Sequence, residues 1–195
     1  MKNPLTIHDR VGNLFVVSGP SGVGKGTVIE KILLTVPEIQ KSISVTTRKP
    51  RAKEENGRDY FFISKEKFDQ MIEERLLMEW AEFTGSFYGT PIRWVKDRLK
   101  QGIDVILEIE IQGAKQIASQ YPNASLIFLS PPSISALEER LRGRATESPE
   151  KLALRLSKAE EEMAQRYIFQ YEVLNDNLEE AVKVLQDIVY SKRSK

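Results

Sequence analysis

Gly19-Pro20-Ser21-Gly22-Val23-Gly24-Lys25-Gly26-Thr27 is the stretch whose reading decides the fold of this chain. The apolar run Leu14-Phe15-Val16-Val17 precedes it and Val28-Ile29-Glu30-Lys31-Ile32-Leu33 follows. Strand, glycine-rich loop and helix stand in the order that a phosphate-binding loop requires. Gly19, Gly22 and Gly24 let the backbone turn tightly, so that successive N–H groups point into one concavity. The following helix adds the positive end of its dipole to the same spot. Lys25 is in register to reach the outer phosphates of a nucleoside triphosphate. The residue after it is Gly26, so the hydroxyl that such loops offer to Mg²⁺ is displaced to Thr27. A glycine-rich turn alone serves equally well as a plain strand-to-helix connection. The strand before it, the lysine in register and the helix after it favour phosphate binding.

The bulk properties narrow the function classes. At 195 residues the chain is long enough for one domain with a proper core. Its 29 Lys and Arg against 28 Asp and Glu give a formal charge of +1, so no global field recruits nucleic acid or an anionic membrane. With 0 cysteines, disulfides, thiolate metal sites and cysteine nucleophiles are excluded. The single histidine, His8, lies in a polar leader ahead of the first strand, and histidine acid–base chemistry is set aside. No apolar run approaches membrane-spanning length, and Met1–Arg10 lacks the apolar core of a signal peptide. The expectation is a soluble cytoplasmic protein that binds neither nucleic acid nor membrane; monomer and homodimer both stay open.

Periodicity places the remaining elements. The helix after the loop carries Val28, Ile32 and Val36 at helical spacing and stops at Pro37. Ile43–Thr47 and Tyr60–Ile63 read as short strands. Ser64 caps a helix with Phe68, Met71, Ile72 and Leu76 inward. Met78–Phe83 and Ser86–Thr90 read as two strands joined at Thr84-Gly85, and Pro91 opens a helix closed by Gly102. Val105–Ile111 and Leu126–Leu129 are nearly continuously apolar, as strands covered on both faces are, and Val173-Leu174 is a fourth short one. The helix between Val105–Ile111 and Leu126–Leu129 has Ala114, Ile117 and Ala118 inward; a last one, capped by Asn177, carries Leu178, Val182, Leu185 and Val189. The pattern predicts an α/β core with a parallel sheet flanked by helices, spanning about 12–42, 97–132 and 167–195. Two lobes are inserted: residues 43–96, of antiparallel strands and a helix, and the charged helical stretch 133–166.

Further motifs follow the loop: Ser44-Val45-Thr46-Thr47-Arg48-Lys49-Pro50-Arg51, then Glu54, Asp59-Tyr60-Phe61-Phe62, Glu79-Trp80-Ala81-Glu82-Phe83, Tyr88-Gly89-Thr90 and Leu107-Glu108-Ile109-Glu110-Ile111-Gln112-Gly113. In this order and spacing they resemble the guanylate kinases, from about Asn13 to about Val189. The resemblance implies transfer of the γ-phosphoryl of ATP to GMP with Mg²⁺, giving ADP and GDP. It implies a phosphate-loop core with ATP held by Ser18, Gly19, Pro20, Ser21, Gly22, Val23, Gly24, Lys25, Gly26 and Thr27, and Asn175 near the adenine. It makes 43–96 the GMP-binding lobe and 133–166 an arginine-bearing lid.

Within that resemblance Arg48, Arg51, Tyr60 and Tyr88 hold the GMP phosphate, guanidinium forks and phenol hydroxyls suiting a dianion. Glu54 joins the GMP-binding set. Glu79 sets the base: guanine presents N1–H and N2–H₂ side by side, and an ionised carboxylate is acceptor-only with two oxygens. Adenine's unprotonated N1 would face it and repel it. Ser44 and Thr90 offer hydroxyls to O6. Glu108 and Glu110 alternate at the end of a buried strand, so one is expected to face the site and the other a neighbouring element. Glu110, where the family often has Asp, is expected at the guanine amino group or in the metal shell; Glu108, with Thr27, is expected near the metal, through water. Arg140, Arg144 and Arg155 act from the lid on ATP phosphates and the transferring group, with Lys25 and Arg48 completing the catalytic set. Arg142 reads as a surface residue paired with a neighbouring glutamate. Two other readings keep the fold: a guanylate-kinase-like module that binds peptides without catalysis, and a phosphotransferase for another phosphorylated acceptor. The intact Lys25 loop opposes the first, and Glu79, which has no base edge to meet on a sugar phosphate, opposes the second.

Overall fold

A computed structural model of the chain describes residues 10–142 and 149–194. In chain order these form β1 (Leu14–Ser18), α1 (Lys25–Thr35), β2 (Ile39–Lys41), β3 (Val45–Thr46), β4 (Phe61–Phe62), α2 (Lys65–Glu73), β5 (Leu77–Phe83) and β6 (Ser86–Pro91). Then follow α3 (Ile92–Lys100), β7 (Asp104–Glu108), α4 (Ile111–Gln120), β8 (Ser125–Ser130), α5 (Ile134–Arg142), α6 (Pro149–Ala164), β9 (Tyr171–Leu174) and α7 (Leu178–Arg193). They group into two compact units, one of the described residues up to Leu14 with Glu38–Ala124, the other of Phe15–Pro37 with the residues from Ser125 on. Among the described residues no helix is long and apolar enough to cross a membrane.

In the second unit, parallel strands β1, β8 and β9 lie side by side in that order. Phe15, Val16, Val17, Ile127, Phe128 and Leu129 are completely buried, as parallel strands covered on both faces require. Each such side chain contributes roughly 1.5–3 kcal/mol by leaving water. The ring of Phe128 packs 5.1 Å from that of Phe169. Helix α7 packs on α1 and buries Ala181, Val182, Leu185, Ile188 and Val189, a stripe at helical spacing. Asn177 caps it, its side chain accepting from the amides of Glu179 (2.9 Å) and Glu180 (3.2 Å). Glu179 and Glu180 in the first turn and Lys192 and Arg193 in the last complement its dipole.

In the first unit β2 pairs with β7 in parallel, and a separate mixed sheet runs β4-β3-β6-β5. Thr84 and Gly85 both take positive φ (48° and 75°), the two-residue turn that matches the twist of the β5–β6 hairpin. Ser64 caps α2 by accepting from the Lys67 amide at 3.2 Å. Helix α4 covers β5.

Four expectations need correcting, the first being Leu174, which ends β9 and is 55% exposed where a covered strand residue is expected. Leu76 is 41% exposed, because α2 ends at Glu73 and Arg75 turns left-handed (φ 54°), which carries Leu76 off the inner face. Ala118 faces outward, and Gly113 takes its place beside Ala114 and Ile117 on the inner face of α4. Strand β7 stops at Glu108, three residues earlier than expected, because Glu110 is already the N-cap of α4. Strand β2 is an addition, short and with only Ile39 buried, too weak a pattern for periodicity to reveal. The expected break near Thr146–Ser148 lies outside the described residues.

Phe128→Ala removes a large ring from the sealed centre of β8. Urea titration should show a loss of about 3–5 kcal/mol with little change in m-value, as expected when a cavity opens in an otherwise unchanged core.

Candidate active site

The loop between β1 and α1 is built as an anion cradle. Gly19, Gly22 and Gly24 have φ of 146°, 88° and 99°. Gly24 is the left-handed N-cap of α1, and no side chain caps it, so the first-turn amides stay available to an anion. A side chain at Gly24 would also strike Nδ2 of Asn175, 2.7 Å from where its Cβ would stand. Lys25 Nζ donates to the carbonyls of Gly19 (2.5 Å) and Pro20 (3.3 Å), folding over its own loop. Thr27 follows on the exposed side of the first turn.

Three side chains from distant sequence brace this loop. Asn175 Nδ2 donates to the Val23 carbonyl at 2.7 Å. Arg140 on α5 donates to the carbonyls of Asn175 (2.8 Å) and Val23 (3.4 Å). Arg155 on α6 donates to Ser21 Oγ at 2.6 Å. Both arginines thus stand at the phosphate loop, while Arg142 pairs with Glu138 at 2.6 Å on the surface. Arg144 lies outside the described residues.

The first unit carries a second cluster of charged and aromatic side chains, around Arg48. Arg48, just after β3, puts two guanidinium nitrogens on the two oxygens of Glu54, each at 2.9 Å. Its Nε donates to the Tyr88 hydroxyl at 3.2 Å, and its Nη1 also donates to the Lys49 carbonyl at 2.8 Å. The guanidinium stands 5.4 Å from the ring of Tyr60, which lies edge-on to Tyr88 at 6.0 Å. Register brings the group together: β3 lies between β4 and β6, with Thr46 opposite both Phe62 and Tyr88. The Arg48 fork holds the Glu54 carboxyl below its ordinary range, and Glu54 in turn holds the guanidinium charged. Burial pushes the Tyr60 phenol up to about 12. Arg51 extends toward solvent, 77% exposed, with its backbone amide on Glu54 at 2.8 Å.

Glu79 is the unusual residue: a carboxyl side chain only 3% exposed. The β5–β6 register shifts by one between Leu77 and Trp80, a bulge that turns adjacent Met78 and Glu79 both inward, where strict alternation would expose one. Glu79 Oε1 accepts from Thr90 Oγ1 at 2.6 Å, and Thr90 is itself fully buried. Its other oxygen lies against Gly113 in the first turn of α4. Burial first, and then the nearby Glu110 carboxylate, raise the Glu79 carboxyl to about 7, against the pull of Thr90.

Glu110 is half-buried at the N-cap of α4, off the strand, so the expected alternation with Glu108 does not operate. Glu108 ends β7 and accepts from Lys41 Nζ on β2 at 2.5 Å. Ser44 stands one residue before β3, its carbonyl accepting from the Phe61 amide at 2.9 Å. Sequence reasoning gave no role to Lys41, Gly113 or Gln116. Gln116, on α4, pairs its amide with both backbone groups of Trp80 (3.1 and 2.6 Å), as a neighbouring strand would. A glycine inside a helical pattern is the one signal that could have pointed to Gly113.

An α/β fold with a braced glycine loop at a helix N-terminus defines a phosphate-loop nucleotide-binding protein. Comparison with known proteins narrows that class. The guanylate kinase family profile matches residues 11–192. The guanylate kinase of Synechocystis is 47% identical over 178 residues, 91% of this chain and 93% of that protein. That of Rubrobacter xylanophilus is 48% identical over 180 residues, covering 92% and 94%. Among solved structures, guanylate kinase from Anaplasma phagocytophilum superposes with a TM-score of 0.80 at 32% identity, covering 95% of this chain and 88% of that one. The chain belongs to the guanylate kinase family, and it is a transferase.

The raised Glu79 carboxyl makes a stability prediction. Its folded value lies above its unfolded one, so the stability it contributes is present below about 4.5 and lost as pH rises through about 7. Without nucleotide, wild type should lose about 2–3 kcal/mol relative to Glu79→Gln between about pH 5 and pH 8. Parallel urea titrations would reveal equal slopes if the carboxyl were unperturbed.

Proposed function

We propose that this chain carries out ATP:GMP phosphoryl transfer with the two clusters in separate roles, the glycine loop holding ATP and the Arg48–Glu79 cluster holding GMP. The observation that carries the reading is Glu79, a buried carboxylate with one oxygen on Thr90. Two oxygens side by side match the two donors of guanine N1–H and N2–H₂, and match no other common base edge. The desolvation that raises its proton affinity is also what makes an unmatched base costly, so a preference of roughly a thousandfold for guanine is expected. Ser44, Thr90 and Glu110 complete the base contacts.

The acceptor phosphate goes to Arg48, Arg51, Tyr60 and Tyr88. Glu54 serves as the orienting partner of Arg48, since a carboxylate repels a phosphate directly. Lys25, the loop amides, Arg140, Arg155 and Arg144 neutralise the charge that spreads over the transferring group. No strong general base is needed, because a phosphate oxygen is already a nucleophile. Asn175 acts on the ATP side by holding the Val23 carbonyl, with the loop shaped for phosphate.

Mg²⁺ bound with ATP would neutralise charge on the outer phosphates. Thr27, exposed on the first turn after Lys25, would supply the hydroxyl a hard cation takes in such loops. A cation held mainly by phosphate oxygens and water needs no carboxylate cage.

Coupled ADP release tests the assignment. With MgATP, GMP should be turned over and AMP, CMP and UMP should not, and Lys25→Ala should lose at least about a hundredfold in kcat. ADP release from AMP at a comparable rate would remove Glu79 from base selection. A pH series adds a second check. A proton on Glu79 occupies an acceptor oxygen, so kcat/KM for GMP should fall below pH about 7, approaching tenfold per unit. Glu79→Gln should lose that component while keeping the titration of the substrate phosphate.

A further inference from the structure

We propose that helix α4 is the seat of the base-selecting carboxylate, with Gly113 making room for Glu79 and Gln116 fixing the strand that carries it. The proposal rests on the reading of Glu79 as the guanine acceptor and adds two positioning residues to it.

A Cβ built on Gly113 would stand 2.0 Å from Glu79 Oε2, 2.9 Å from its Cδ and 3.4 Å from its Cγ. No contact that close is tolerated, and the atom in the way is the free end of a side chain, not backbone. An added methyl would therefore displace the carboxylate and leave the helix where it is. Gly113 has no positive φ, so its backbone conformation is open to any residue. Alanine is also the better helix former, so glycine here gives the helix nothing that alanine would not give better. The space against β5 is what its absent side chain supplies.

Gln116 is one turn further along the same face of α4. Its side-chain amide takes the Trp80 N–H at 3.1 Å and gives to the Trp80 carbonyl at 2.6 Å. Trp80 is the residue after Glu79, just beyond the bulge. A bulge leaves the ladder locally unpaired and gives the strand freedom to twist. Strand β5 is the outer strand of its sheet, and the Gln116 amide takes the backbone groups that Trp80 turns away from β6, which sets the direction in which Glu79 leaves the backbone. One helix face thus fixes both the root and the tip of the side chain, while Thr90 fixes its other oxygen.

The test is a double-mutant cycle on kcat/KM for GMP at saturating MgATP, using wild type, Gly113→Ala, Glu79→Ala and the double variant. Gly113→Ala should raise KM for GMP on the order of ten- to a hundredfold, with kcat and KM for ATP nearly unchanged. In the Glu79→Ala background the same methyl should change kcat/KM less than about twofold, because nothing is left for it to displace. Equal factors in both backgrounds, or no effect in wild type, would overturn the role of Gly113. Gln116→Ala is the second probe, and stands even where the glycine variant folds poorly. It should raise KM for GMP severalfold, and Gln116→Glu, which keeps an acceptor for the Trp80 N–H and loses the donor, should not restore it. Unchanged KM in Gln116→Ala would remove the clamp. Glu79→Ala alone separates the two levels: full GMP activity in that variant would sink the reading of Glu79 itself, whereas lost activity with multiplicative singles would sink only the seat on α4.

Discussion

A carboxylate taken out of water is costly unless its lone pairs are met, and that constraint organises the first unit around Glu79. The residue is 3% exposed and keeps a hydroxyl from Thr90 on one oxygen. One neutral donor does not offset burial, which is why its proton affinity rises to about 7. The bulge in β5, the missing side chain at Gly113 and the amide of Gln116 all serve to hold an ionisable group in a place it would not choose. Under the proposed function the strain has a use, because guanine brings the two donors that relieve it.

Arg48 solves the opposite problem by full pairing. Four of its five N–H groups are engaged, by Glu54, Tyr88 and the Lys49 carbonyl, and two aromatic rings flank the guanidinium. Its charge is thus fixed in place with the side chain only 17% exposed. A fork already oriented loses little side-chain entropy when a phosphate arrives. Under the proposed function Glu54 then belongs to the phosphate cluster through Arg48, even though its own charge has the wrong sign for an anion.

What could be read from sequence divides along the range of the interactions. The phosphate loop was legible because its physics is local: glycines at fixed offsets, a lysine in register and a strand and helix on either side. The cap at Ser64, the hairpin turn at Thr84-Gly85 and the buried runs of β1 and β8 are local in the same sense. The bulge was not legible, since Leu77–Phe83 reads as an ordinary strand until the partner register shows Met78 and Glu79 both turned inward. Extending β7 to Ile111 also failed for a local reason: three further apolar or acidic residues continue the strand pattern, and only the turn into α4 ends it. The supporting residues were beyond reach because they act across long separations, 36 residues between Gln116 and Trp80 and 152 between Asn175 and Val23.

The two clusters differ in where their order comes from. At the phosphate loop, order is backbone order, set by glycine dihedrals and held by Asn175, Arg140 and Arg155 from outside. Any triphosphate presents the same oxygens to such amides, so that half discriminates by charge and shape. At Glu79 order is side-chain order, and it depends on which atoms are absent as much as on which are present. A methyl group on Gly113 would leave every backbone hydrogen bond of α4 in place and still move the carboxylate that, under the proposed function, tells guanine from adenine. Base selection in this fold is therefore expected to be more sensitive to small substitutions on a neighbouring helix than phosphate binding is to changes of similar size around the loop.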